Sequence, residues 1–201
     1  MKSIPPSIER LIREFNKLPG IGHKTSERFV YYLLRGSTQN IDALAQSLIA
    51  VKEAVSPCTN CYTYAEGGLC AICSDPMRKK DVICVVAEPK DVMAFEKAAS
   101  FDGVYHVLGG LINHTEGVGP EQLRIAQLQK RIETQDVREV ILGTNPDMEG
   151  DTTALYIAQQ LKEMNVIITK IARGLPVGAD IQFADEVTLG NALTERQAFQ
   201  K

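Results

Sequence analysis

Three features of the sequence predict an α/β protein with a helical hairpin, a small four-cysteine module and a mostly parallel sheet domain. From Asp81 onward, runs rich in Val, Ile and Leu alternate with helical stretches, the pattern of parallel strands covered on both faces. Before them, residues 1–54 carry helical periodicity alone, broken at Leu18-Pro19-Gly20-Ile21-Gly22. Between the two regions, Cys58, Cys61, Cys70 and Cys73 gather in one short segment. The boundaries follow as a helical domain over 1–54, the cysteine module over 55–78, the sheet domain over 79–174 and a C-terminal segment over 175–201.

Each element has a local cause. Ile8, Leu11, Ile12 and Phe15 recur at spacings of three and four, which predicts a helix over 7–17 with Ser7 as N-cap after Pro5 and Pro6. A second helix carries Phe29, Val30, Leu33 and Leu34 and stops at Gly36. A third covers 40–54. Strands are expected at 82–87, 104–108, 137–144 and 166–172, and helices at 91–99, 120–133 and 153–164. The tail from 174 is punctuated by Gly and Pro and ends in a short helix. Cys84, alone in its strand, reads as a small buried hydrophobe.

Composition excludes several classes. The chain has 201 residues, 44% of them apolar and 23% charged, with 15 Gly and 9 Pro, which is neither disordered nor fibrous. No run approaches the roughly 18 apolar residues of a membrane span. Residues 1–6 lack the apolar core of a secretory signal, so a cytoplasmic location without membrane association is expected. The net charge of −3 argues at first against a polyanionic partner. Its distribution reverses that argument. Residues 1–35 set Lys2, Arg10, Arg13, Lys17, Lys24, Arg28 and Arg35 against Glu9, Glu14 and Glu27, a local +4, which leaves −7 on the rest. A basic end on an acidic body suits a face that meets a polyanion, although chance alone also produces such asymmetry.

The break between the first two helices carries the first candidate site. Gly20 and Gly22 permit a tight turn that exposes backbone N–H groups, and the next helix adds the positive end of its dipole. Lys24 and Arg28 are four apart and share a helical face beside that turn. Together they make a clamp for phosphate that reads no bases. The plainer reading is a helical hairpin whose glycines serve only the turn.

Cys58-x-x-Cys61 and Cys70-x-x-Cys73 are two knuckles eight residues apart, with Gly67 and Gly68 turning the chain between them. Four thiolates suit tetrahedral Zn²⁺, one per chain, and a full protein ligand set leaves no open position for catalysis. Two disulfides or a redox pair are the alternatives; a cytosolic chain disfavours structural disulfides, and a redox C-x-x-C usually sits at a helix N-terminus beside a βαβ unit.

Glu88 follows the first strand of the sheet region, and Asn145, Asp147, Glu149 and Asp151 follow the third. In a parallel sheet both loops open at the carboxyl edge, where ligands gather. Glu88, Asp147, Glu149 and Asp151 therefore form a candidate acidic cluster for Mg²⁺ or for a basic partner surface. Asp151 also suits the N-cap of the helix that follows, which needs no ligand at all.

These motifs resemble known families. Leu-Pro-Gly-Ile-Gly with Lys24 and Arg28 is similar to the helix-hairpin-helix motif of DNA-binding proteins. Residues 143–150 resemble the second acidic motif of Toprim domains, Rossmann-like folds of topoisomerases, primases and some nucleases. Glu88 matches the Toprim glutamate and Asp147 the second Asp, while Asn145 stands where a first Asp is usual. The order of the three modules resembles the RecR family of recombination mediators. Residues 105–110, 117–123, 144–150, 171–178 and 184–190 also resemble RecR segments. The resemblance implies a DNA repair and recombination protein that forms a ring or clamp, a dimer or a tetramer, with the C-terminal segment making subunit contacts. It implies binding to single- and double-stranded DNA irrespective of sequence, and work with RecO and RecF to load RecA on gapped or single-stranded DNA. It further implies a cytoplasmic protein that joins the nucleoid during repair, with a Toprim domain that does not catalyse. Asp147 departs from the family, many of whose members carry an uncharged residue there. The competing readings are a Mg²⁺-dependent Toprim nuclease or primase-like enzyme, and a zinc-bearing adaptor without DNA contact.

Overall fold

The computed structural model describes residues 4–198. The chain divides into two compact units, one through Ala54 and one from Val55.

The first unit holds α1 (Pro6–Asn16), α2 (His23–Arg35) and α3 (Thr38–Ala54). Ile12 and Val30 are its buried apolar residues, and Phe15 meets Phe29 edge-on with ring centres 5.7 Å apart. Ser26, fully buried in α2, donates to Asn16 Oδ1 at 2.6 Å and pins the two helices beside the turn. Pro5 occupies the N-cap of α1, so Ser7 lies inside the first turn and caps nothing. Proline at the first helical position suits that start, since its missing N–H has no intrahelical partner anyway. Leu34 falls off the buried face and is 55% exposed. No residue of α3 is buried, and Leu44, Leu48, Ile49 and Val51 face solvent.

The second unit begins with a hairpin of β1 (Val55–Pro57) and β2 (Tyr64–Glu66), paired antiparallel, followed by the single turn α4 (Ala71–Ser74). Then come β3 (Lys79–Val86), α5 (Pro89–Ala98), β4 (Gly103–Val107), α6 (Ile125–Thr134), β5 (Glu139–Leu142), α7 (Met148–Gln160), β6 (Ile167–Lys170) and α8 (Glu186–Thr194). The four longer strands form one parallel sheet in the order β4-β3-β5-β6.

Strand side chains alternate between faces. Ile83 and Val85 of β3 pack with Leu128 of α6 and Ile157 of α7, while Cys84 and Val86 pack with Val92 of α5 and Tyr105. The sheet is thus covered on both faces at its centre. β6, at the edge, is only half covered, and Ile167 is 65% exposed. The apolar run there reflects an edge with one packed face, not full burial.

Two other elements differ from their sequence pattern for tertiary reasons. Residues 120–133 do not form one helix. A 3₁₀ turn at Pro120–Gln122 ends at Leu123, and α6 starts at Ile125. Leu123 is buried and the Arg124 N–H donates to the Leu108 carbonyl at 3.0 Å, so packing at the end of β4 interrupts a locally favourable helix. Likewise α7 starts at Met148 rather than 153, because Asp147 is its N-cap and accepts from the Gly150 N–H at 2.8 Å. Asp151 lies within the first turn and is not the cap.

Candidate functional site

The four cysteines converge on one point. Cys58 and Cys61 lie in the turn between β1 and β2, Cys70 is the N-cap of α4, and Cys73 lies within α4. Their sulfurs all lie within 4.8 Å of one another, and all four residues are buried. A tetrahedral zinc with bonds of about 2.3 Å places its sulfurs about 3.8 Å apart. The Cys61–Cys70 separation of 3.5 Å agrees with that spacing. Tyr62, Gly67 and Gly68 adopt positive φ, which folds the two knuckles tightly.

N–H groups are aimed at three of the four sulfurs. The Cys70 N–H donates to Cys58 Sγ at 3.3 Å, the Cys73 N–H to Cys70 Sγ at 3.4 Å, and Asn60 Nδ2 to Cys73 Sγ at 3.6 Å. Cys73 is pushed down to about 5, chiefly by the hydrogen bond from Cys61, while that same bond and burial push Cys61 up. Zn²⁺ takes only thiolates, so loading would release the protons still held, that of Cys61 among them. Cys84, by contrast, is held in the core and its thiol is pushed up to about 12 by burial, which makes it inert.

The turn between α1 and α2 has Gly20 at φ +77°, a conformation that costs an L side chain strain. Gly22 is the N-cap of α2 and offers no side chain, so the N–H groups that open the helix stay available to a ligand. Lys24 and Arg28 are exposed on α2. The ion pairs of this unit are Arg13–Glu9, Lys17–Glu14 and His23–Glu27, which leaves Lys24 and Arg28 without carboxylate partners among the described residues. Glycine turn, open N–H groups and two free cations suit a phosphate diester backbone.

At the carboxyl edge of the sheet, Glu88, Asp147 and Glu149 line one cavity of about 350 Å³ together with Asn145 and Lys90. Two of these acids have a local role as caps. Glu88 is the N-cap of α5, exchanges hydrogen bonds with Asp91 in a capping box, and pairs with Lys90 at 2.8 Å. Asp147 caps α7. Gly150 allows the chain to close, since a Cβ there would lie 2.1 Å from the Asn145 carbonyl oxygen. Asp151 does not line this cavity. It pairs with Arg173 and with Lys170, the latter at 2.6 Å, and both cations hold its carboxyl below the usual range. Among the described residues the four cysteines are the one set of three or more His, Cys, Asp or Glu that could hold an ion. The acidic residues therefore do not assemble a Mg²⁺ site of that kind.

Residues that no sequence motif marks brace the cysteine module. Tyr62 sits edge-on to His106 at 5.4 Å, with the Arg124 guanidinium 5.0 Å from its ring centre. The Val107 N–H donates to the Cys61 carbonyl at 2.8 Å. Arg131 is buried beside the module. Its sequence signal is a cation on the apolar face of α6, in register with Leu128 and Ile132.

Comparison with known proteins agrees with this layout. The RecR helix-hairpin-helix model matches residues 8–52, the RecR four-cysteine zinc finger model 55–75, the Toprim domain model 81–172 and the RecR C-terminal model 174–197. A protein of Tropheryma whipplei (strain Twist) named "Recombination protein RecR" is 48% identical over 190 residues, covering 94% of this chain and 96% of its own. One of Thermobifida fusca with the same name is 48% identical over 192 residues, covering 96% of each chain. A third, of Pelotomaculum thermopropionicum, is 50% identical over 190 residues, covering 94% of this chain and 95% of its own. The four-cysteine cluster and the zinc-finger match together support zinc in this chain. With four successive models and near full-length relatives in agreement, the chain belongs to the RecR family of recombination proteins.

Proposed function

We propose that this protein is a DNA repair and recombination mediator that closes around DNA as a ring or clamp of several copies. The observation that carries the reading is the uncompensated Lys24 and Arg28 pair beside the glycine turn that opens α2. Gly20 shapes the turn, Gly22 keeps the N–H groups uncovered, and the two cations neutralise adjacent phosphates. Such contacts are to backbone, so they hold single- and double-stranded DNA of any sequence. The net charge of −3 fits a ring whose basic faces point inward. The apolar surface of α3 supports self-association, because exposed Leu44, Leu48, Ile49 and Val51 gain by leaving water. The C-terminal segment adds subunit contacts under this reading.

The zinc is structural. Cys58, Cys61, Cys70 and Cys73 take every position of a tetrahedral ion, so zinc supplies folding energy and shapes the knuckles. Glu88, Asp147 and Glu149 serve a basic surface of a partner, RecO or RecF, in loading RecA on gapped or single-stranded DNA. Asn145 in place of an acid weakens any cation site there, since hard cations depend on carboxylate count. Asp151 is committed to Arg173 and Lys170. The Toprim domain accordingly binds and does not catalyse, and no observation favours a nuclease or primase. Among the described residues no helix is long and apolar enough to cross a membrane. A cytoplasmic location, on the nucleoid during repair, suits the role. Mass in solution, with and without a DNA oligomer at two salt concentrations, tests the reading. A multimer that binds DNA less tightly at high salt is expected. A monomer indifferent to DNA contradicts it.

A further inference from the structure

Helix α6 carries one charged residue into an apolar core. Arg131 is 5% exposed and follows Leu128 by one turn on the face that packs against the sheet. Its Nη1 donates to the Tyr105 carbonyl at 2.7 Å and its Nε to Gln135 Oε1 at 3.1 Å. Nη2 is buried and has no hydrogen-bond partner among the described residues. Among the described residues no carboxylate pairs with this guanidinium. A buried cation needs a counter-charge, and without one it is strongly destabilising. Once ionised, the four cysteine sulfurs supply negative charge that acts on Arg131, Cys73 foremost.

A hydrogen-bonded path joins the two. Gln135, already held by Arg131, donates through Nε2 to Asn60 Oδ1 at 3.3 Å, and Asn60 Nδ2 donates to Cys73 Sγ at 3.6 Å. Four thiolates around Zn²⁺ carry a net charge of about −2. That dianion is buried, and the guanidinium supplies half of the balancing charge from a helix outside the cysteine module.

We propose that Arg131 is the built-in counter-charge of the zinc–tetrathiolate centre and locks that centre to the sheet domain through Gln135 and Asn60. The proposal rests on zinc residing in the four-cysteine site. It makes Arg131 a positioning residue that never touches the metal. It also makes the loading of zinc and the docking of α6 mutually dependent, because each buried charge is stable only beside the other.

The test uses the full chain. Zinc affinity is read by competition with a chromophoric chelator, and cobalt substitution reads the sulfur-to-metal charge-transfer band. Arg131→Met is expected to weaken zinc binding 10–100-fold, the usual effect of losing an outer partner of a metal ligand. It should also move the band to lower energy, since removing a nearby cation raises the sulfur lone pairs. Arg131→Lys, which keeps the charge and loses the planar fork, should fall between. A packing role alone would leave the band in place. Unchanged affinity and band in Arg131→Met, with zinc bound normally by the unaltered chain, overturn the proposal by itself. An unaltered chain that takes up no zinc overturns the zinc assignment and the proposal with it. Should Arg131→Met fail to fold, hydrogen exchange on the unaltered chain decides. Stripping zinc is expected to speed exchange over 125–134 and to leave 6–35 unchanged, and unchanged protection over 125–134 overturns the coupling.

Discussion

The cysteine module and the acidic edge of the sheet both present four chemically competent residues, yet only the first brings its four together. Cys58, Cys61, Cys70 and Cys73 meet within 4.8 Å. Glu88, Asp147 and Glu149 share a cavity, while Asp151 turns away to Arg173 and Lys170. The difference lies in what holds each residue. Cysteine spacing of two residues is a local constraint that shapes each knuckle, and the sheet domain then braces the pair through the Val107 N–H and Tyr62. The carboxylates sit on two loops whose geometry depends on where α5 and α7 begin. There, capping and ion pairing compete with any ligand, and they take Glu88, Asp147 and Asp151 one by one.

The largest expected effect separates the two regions most sharply. Cys70→Ser should lose zinc and unfold the cysteine module, because metal binding and folding of such modules are one event. Metal analysis and chelator titration check it, and about one zinc still bound per chain would contradict the structural role. Removing acids should do far less. Asp147→Ala is expected to cost only about 1 kcal/mol, the usual cost of an N-cap, as measured by denaturant unfolding. A loss of fold comparable to that of Cys70→Ser would mean that the acidic edge is as structural as the zinc.

That contrast also explains how much could be read from residues alone. The cysteine knuckles, the glycine turn and the parallel sheet were legible because each follows from spacing or periodicity over a few residues. The start of α7 was not, since Asp147 and Asp151 are both good caps and the close approach of Gly150 to Asn145 decides between them. The break before α6 was hidden because the Arg124 N–H turns to the end of β4, a neighbour that local periodicity does not reveal. Arg131 was visible only as a cation on an apolar face, with its counter-charge far back along the chain at Cys73.

His106 offers a second probe of how tightly the cysteine module joins the sheet domain. It is fully buried between Tyr62 and the Arg124 carbonyl, which its Nε2 meets at 2.8 Å, and burial pushes it down to about 4. The unfolded chain takes up a proton below about pH 6.5, and the folded chain refuses it until about pH 4. Stability should therefore fall as pH drops through that window, by ~3 kcal/mol at most, and His106→Gln should flatten the slope. Urea unfolding at several pH values measures it. An unchanged slope in the His106→Gln protein would place the acid sensitivity elsewhere.

The acidic cavity itself is sharpened by charge reversal. Glu149→Lys should abolish binding to RecO while leaving zinc content, fold and DNA affinity nearly unchanged, since surface charges act through complementarity. A titration with RecO checks it, and retained affinity would remove the partner role. Multiple-turnover, Mg²⁺-dependent cleavage of DNA by the unaltered protein, lost in Glu88→Ala, would instead restore the enzymatic reading.

The DNA clamp is tested most directly by the salt dependence of binding. Affinity for a single-stranded oligomer is measured across a salt series for the unaltered chain and for the Lys24→Ala, Arg28→Ala double substitution. Without these two cations, the altered protein should bind all sequences more weakly and alike. The slope of its log affinity against log salt should shrink by about one to two units per chain. The same slope and the same affinity in both proteins would show that the turn between α1 and α2 does not hold DNA.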